Sequence, residues 1–191
     1  AEWAREDFAN SVREFLENPR RSSAITAGIG QVLDLGAGRW LRLRAELTDL
    51  RSKGMFIPWS RFYTHFAVRQ GHTHNGQLLG ASLGPGSNAQ YLEVDLYAPF
   101  GRIGGFVERA ERDTDTFEER FEDRFDRDQR DIEYTVGVRQ TLFLGTLDVA
   151  WSASASRRRS RTFIGLDGPG DRGIRETNVS LDVSASYWPG R

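Results

Sequence analysis

The side chains best suited to chemistry lie in one stretch, Trp59–Ser87, WSRFYTHFAVRQGHTHNGQLLGASLGPGS, which holds all three histidines of the chain. His72 and His74 stand two apart and share one side of an extended backbone, with His65 seven residues back. A metal centre takes three or four protein ligands, and no nearby carboxylate or cysteine completes this set, so neither metal nor other cofactor is expected. The stretch is better supplied for holding sugars, through aromatic faces and planar side chains with paired donors and acceptors. Trp59, Tyr63, Arg69, Gln70, His72, His74 and Asn75 are the candidate contacts, with Phe62 beside them, and each is equally a loop-packing residue.

Two further groups have chemical potential. Glu93, Asp95 and Glu108 fall on neighbouring predicted strands, where paired carboxylates could hydrolyse glycosides. The same carboxylates are equally explained as interior charges balanced by Arg42, Arg44 and Arg139, with Glu46 in the same set. Arg157, Arg158, Arg159 and Arg161 form a basic cluster that either attracts phosphates of lipid A or an acidic polysaccharide, or is a solvated loop end. No nucleophile elbow, zincin helix or phosphate-binding loop pattern occurs, and no enzyme is expected.

The elements that must position these groups are strands. Leu41, Leu43, Ala45 and Leu47 alternate with Arg42, Arg44, Glu46 and Thr48, a period of two. The same alternation runs through Ile132–Leu142, Leu147–Ser156 and Asn178–Tyr187, and more weakly through Ala24–Leu33, Ala89–Ala98, Arg102–Glu111 and Ala1–Asp7. These runs are about ten residues long, the length a tilted strand needs to cross a bilayer.

Short links at Asp34–Gly38, Pro99–Gly101 and Leu144–Thr146 alternate with long ones at Phe8–Ser23, Arg51–Ser87, Arg112–Arg130 and Arg157–Gly173. Outer-membrane barrels keep this rhythm, with short periplasmic turns and long external loops. The fold expected is therefore all-β: an antiparallel transmembrane β-barrel of about eight strands, one domain over residues 1–191, with long external loops. A soluble β-sandwich also alternates and is the competing fold.

Within the long links, Asn10 or Ser11 could cap a short helix before Pro19, with Phe8, Val12, Phe15 and Leu16 on a packing face. In the link Arg112–Arg130, Phe117, Phe121 and Phe125 recur at helical spacing among mixed charges, expected as a solvated loop helix or an extended hairpin.

Composition narrows the classes. The 191 residues carry a net charge of −1, which gives no reason to expect nucleic acid, and contain no cysteine, which excludes disulfides. The longest apolar runs are too short for a transmembrane helix. The chain opens on the charged AEWARED, expected to follow a removed leader or an earlier part of something longer.

The run RFYTHFAVRQGHTHNGQLLGASLGPGSNA, with AEWARED and GRWLRLRAELTDL before it, resembles the Wzi-type capsule-assembly outer-membrane proteins. RQGHTHNGQLLG followed by LGPGSN is its most specific part. The resemblance implies a Gram-negative outer-membrane barrel that anchors capsular or surface polysaccharide in the manner of a lectin. Members of that family are more than twice as long and usually finish on an aromatic residue, whereas Pro189, Gly190 and Arg191 follow Trp188 here. The chain is thus expected to be the C-terminal part of a larger barrel or a shortened relative, a monomer in contact with outer-membrane lipid. A channel for small solutes and an outer-membrane hydrolase are the competing functions.

Overall fold

The computed structural model describes residues 1–5, 12–17, 23–51, 63, 73–74, 77–78, 80–121, 129–159 and 173–189. In chain order the elements are β1 (Glu2–Arg5), α1 (Val12–Glu17), β2 (Ser23–Gly36), β3 (Arg39–Asp49), β4 (Thr73–His74), β5 (Gln77–Leu78), β6 (Asn88–Ala98), β7 (Gly101–Arg112), α2 (Thr114–Phe121), β8 (Asp131–Leu144), β9 (Leu147–Arg159) and β10 (Glu176–Tyr187). Eight strands form one sheet in the order β1-β2-β3-β6-β7-β8-β9-β10, and β4 and β5 form a separate small hairpin. Every neighbouring pair is antiparallel.

Each predicted strand is present, and the three predicted short links are tight turns at Ala37–Gly38, Pro99–Phe100 and Gly145–Thr146. Gly36, Ala37 and Gly38 all take positive φ, which closes the β2–β3 hairpin tightly. The Asp34 carboxylate accepts the Gly36 N–H at 2.8 Å where the register shifts.

Register converts the alternation into two faces. One row across the sheet runs Ile29, Ala45, Leu92, Val107, Val136, Ala155, Val179. The adjacent row, on the other face, runs Gly30, Arg44, Glu93, Phe106, Gly137, Ser154, Ser180. The first face is exposed: Ile29 is 72%, Val136 55% and Val179 72% accessible.

Burial is inverted relative to a water-soluble core. Among the described residues the buried set holds six hydrophobic residues, four of them alanine, against nine polar or charged ones that include Glu93, Asp95, Glu111 and Asp131. A soluble sandwich buries its alternating apolar rows between two sheets; the described residues contain no second layer over this one.

The expected closure is not seen. Among the described residues β10 pairs only with β9, and β1 covers only Ser23–Thr26 of β2. Four residues of β1 cannot satisfy the remaining edge of a 14-residue strand, so the sheet is open along Ala27–Gly36 and along β10.

Both described helices lie in long links. Val12 and Leu16 of α1, expected to pack, are 76% and 69% exposed, because a six-residue helix presents too little surface to anchor them. In α2 the outcome is the reverse: Phe117 is fully buried rather than solvated, with the Arg130 guanidinium 5.7 Å from its ring centre. Phe8 and Phe125 lie outside the described residues.

Candidate functional site

On the polar face, β3, β6, β7 and β8 converge on two adjacent carboxylates. Asp95 is fully buried and receives Arg42 at 2.8 Å, Arg102 at 3.1 Å and Arg139 at 3.0 Å. Glu93, also buried, accepts from Arg42, from Arg139 at 2.5 Å and from the Tyr91 hydroxyl at 2.5 Å. Arg42 and Arg102 lie 5.8 and 5.6 Å from the Tyr97 ring centre, so cation–π contacts flank the ion pairs.

Local backbone makes room for this density. A side chain at Gly104 would collide with the Asp95 carboxylate, and one at Gly137 would collide with the Phe106 ring. Phe106 therefore lies across Gly137 and stacks on Tyr91, with centroids 5.7 Å apart at 29°. Absence of Cβ at these two positions lets bulky partners settle onto the sheet.

Chemically the cluster holds charge in place. Three guanidiniums face two carboxylates, a net of one positive charge, and both carboxylates are occupied by charge-assisted bonds. The sequence-predicted interior set is brought together in part. Arg42, Arg139, Glu93 and Asp95 meet, whereas Arg44 turns to Glu46 on its own strand at 2.5 Å instead of to Glu93. Glu108 shares the face, opposite Tyr91 in register. Arg102, Tyr91 and Tyr97 were not among the predicted charges, although their even or odd positions on β6 and β7 place them on the same face.

A second network sits at the long-link end of the sheet. Arg109 donates to Asn88 and Gln90 at 3.0 Å each and to Glu111 at 2.7 Å, while Arg130 bridges Glu111 at 3.1 Å and Glu118 of α2 at 3.0 Å. Beside it the Asp49 carboxylate holds Arg51 at 2.6 and 2.7 Å, which raises the guanidinium pKa above its ordinary value. The end of the glycine-rich link docks here. Buried Ser87 donates from its hydroxyl between the Leu83 and Pro85 carbonyls, at 3.2 and 3.1 Å, and accepts the Asp113 N–H at 3.1 Å. Its carbonyl receives the Leu50 N–H at 2.8 Å, and the Gly86 carbonyl receives the Thr114 N–H at 2.8 Å. The LGPGSN segment thus ties β3 to the start of α2.

Of the predicted sugar contacts, Tyr63 and His74 are described; Trp59, Arg69, Gln70, His72 and Asn75 lie outside the described residues, as do Phe62 and His65. Tyr63 accepts the Ala81 N–H at 3.2 Å and packs with Ala81 against buried Ala24 and Leu50. His74 is exposed on the β4–β5 hairpin, opposite Gln77. Among the described residues no group of three metal-ligating side chains occurs.

Comparison of the chain with protein-family models, with curated proteins and with solved structures returns no match.

Proposed function

We propose that this chain forms the wall of a Gram-negative outer-membrane β-barrel that binds and anchors surface or capsular polysaccharide through its long links, without chemical turnover. The observation that carries the membrane part is the inversion of polarity. An exposed aliphatic row crosses seven strands, while the opposite face buries Glu93 and Asp95 in ion pairs. Water opposes such an apolar surface, whereas hydrocarbon accepts it.

The dimensions agree with that reading. Tyr134 is paired with Arg157 and Tyr187 with Leu147, both tyrosines on the aliphatic face, ten positions apart along β9. At about 3.3 Å per residue and a tilt of about 40°, they stand roughly 25 Å apart in height, the thickness of an apolar band between aromatic girdles. One polar pair inside this band is internally satisfied: Trp151 Nε1 donates to Gln140 at 2.9 Å. Closure of the wall belongs to this proposal.

The polysaccharide part rests on the β3–β6 link, which carries Trp59, Arg69, Gln70, His72 and Asn75 at the long-link end, and on the Wzi-type resemblance of that segment. Arg69→Ala and His72→Ala are expected to weaken retention of surface polysaccharide while the heat-modifiable mobility of the barrel stays as in wild type. Retention equal to wild type overturns the assignment of this link. Wild-type protein that stays monodisperse without detergent and does not partition into bilayers overturns the membrane reading.

A further inference from the structure

We propose that Arg157, Arg159 and Arg175, with Tyr134 and Ile132, form a binding site for the phosphorylated headgroup of an outer-leaflet amphiphile, an acylated glycolipid whose chains lie along the aliphatic face. The inference rests on the membrane reading above and adds a ligand to the outside of the wall, apart from the polysaccharide link.

The three consecutive arginines at the end of β9 are divided by the pleat. Arg158 faces the polar interior, opposite Glu133 and Glu176, and is held by Asp131 at 2.8 and 2.6 Å. Arg157 and Arg159 face the other way, opposite Tyr134 and Ile132 on β8. Arg175, just before β10, continues the row of Thr177 and Val179 that is paired with Arg157 and Ala155. Three guanidiniums thereby gather on the aliphatic face at the level of its upper tyrosine.

These residues line a 270 Å³ cavity together with Ile132, Tyr134 and Arg158, whose guanidinium is turned away to Asp131. That volume is just below the range of pockets for drug-sized ligands and suits a headgroup better than a polymer. Interior arginines of this sheet are matched to carboxylates, as Arg42, Arg102, Arg112, Arg139 and Arg158 each are. Among the described residues Arg157 and Arg175 have no such partner. Planar forks of this kind take phosphate oxygens two at a time.

Position selects the ligand class. Directly below the arginines, on the same face, lie Val136, Ala155 and Val179, followed by Val138, Ala153 and Leu181. An anionic headgroup beside a hydrocarbon strip is the chemistry of a phosphorylated lipid. A hydrophilic polymer has nothing to place against those aliphatic side chains.

The test uses the whole protein purified in neutral detergent, with diphosphorylated hexa-acyl lipid A and its phosphate-free counterpart as probes, counted as adducts by native mass spectrometry. The combined R157Q/R159Q/R175Q variant is expected to retain diphosphorylated lipid A at least about tenfold less than wild type, each basic group contributing at the headgroup layer. Arg39→Gln, an exposed arginine at the short-turn end, is expected to retain it fully. Equal retention by the triple variant and wild type overturns the proposal, as does equal binding of the phosphate-free lipid to wild type. Loss of soluble polygalacturonate binding in the triple variant, with lipid A retention unchanged, assigns the patch to a polymer and also overturns it. Where the triple variant lacks heat-modifiable mobility, the two lipids compared on wild type alone decide the matter. A detergent-dependent wild type with unselective lipid binding removes this inference only; a wild type that needs no detergent removes the membrane reading and this inference together.

Discussion

The polar face of β3, β6, β7 and β8 and the polar face of β9 and β10 belong to one sheet and differ in almost every property. The first is crowded with Arg42, Tyr91, Glu93, Asp95, Arg102, Phe106 and Arg139, and its carboxylates are buried. The second carries Ser152, Ser154, Asn178, Ser180, Asp182 and Ser184, small groups joined by bonds such as Ser154 to Ser180 at 2.7 Å and Ser152 to Asp182 at 3.4 Å. β10 is exposed from Thr177 to its end. In a narrow closed barrel one wall must leave volume for what projects from the other. Long arginines on one half and hydroxyls on the other are complementary in that sense, so the contrast agrees with the proposed closure.

The difference also locates stability, and three substitutions probe it. The largest effect is expected from Asp95→Ala, which leaves Arg42, Arg102 and Arg139 without their shared counter-ion and costs about 3–5 kcal/mol. Urea unfolding in detergent checks this, and a loss below about 1 kcal/mol would show that the crowded half does not anchor the sheet. A smaller loss, about 1–3 kcal/mol, is expected for Gly137→Val, whose side chain displaces Phe106 from its stack on Tyr91. Near-ultraviolet circular dichroism of the aromatic stack reports the same change, and an unaltered signal would mean that the ring moves freely. The smallest is Ser180→Ala on the exposed half, expected within about 0.5 kcal/mol of wild type by the same unfolding measurement. A larger cost there would show that β9 and β10 face a packed interior.

Much of this was legible in the residues. Every strand of the eight-stranded sheet was announced by its period of two, and each tight turn by the short link between two runs, whereas the β4–β5 hairpin was not announced. The meeting of Arg42, Arg139, Glu93 and Asp95 followed from parity along adjacent strands. Arg102, Tyr91 and Tyr97 carried the same parity signal, which a search confined to balanced charges passes over. The choice of Arg44 for Glu46 rather than Glu93 was not legible, because both carboxylates are within reach and only the completed network shows Glu93 already occupied. The docking of LGPGSN onto Leu50 and Thr114 was equally hidden, since it joins backbone groups of two different long links.

The sequence by itself determined which residues share a face and which strands are joined by tight turns, because alternation and turn chemistry are local properties of the backbone. Tertiary structure decided the rest: which arginine serves which carboxylate, and that Phe117 is buried while Val12 is not. Those outcomes depend on register and on the volume left by neighbours such as Gly104 and Gly137, and no local pattern along the chain encodes either.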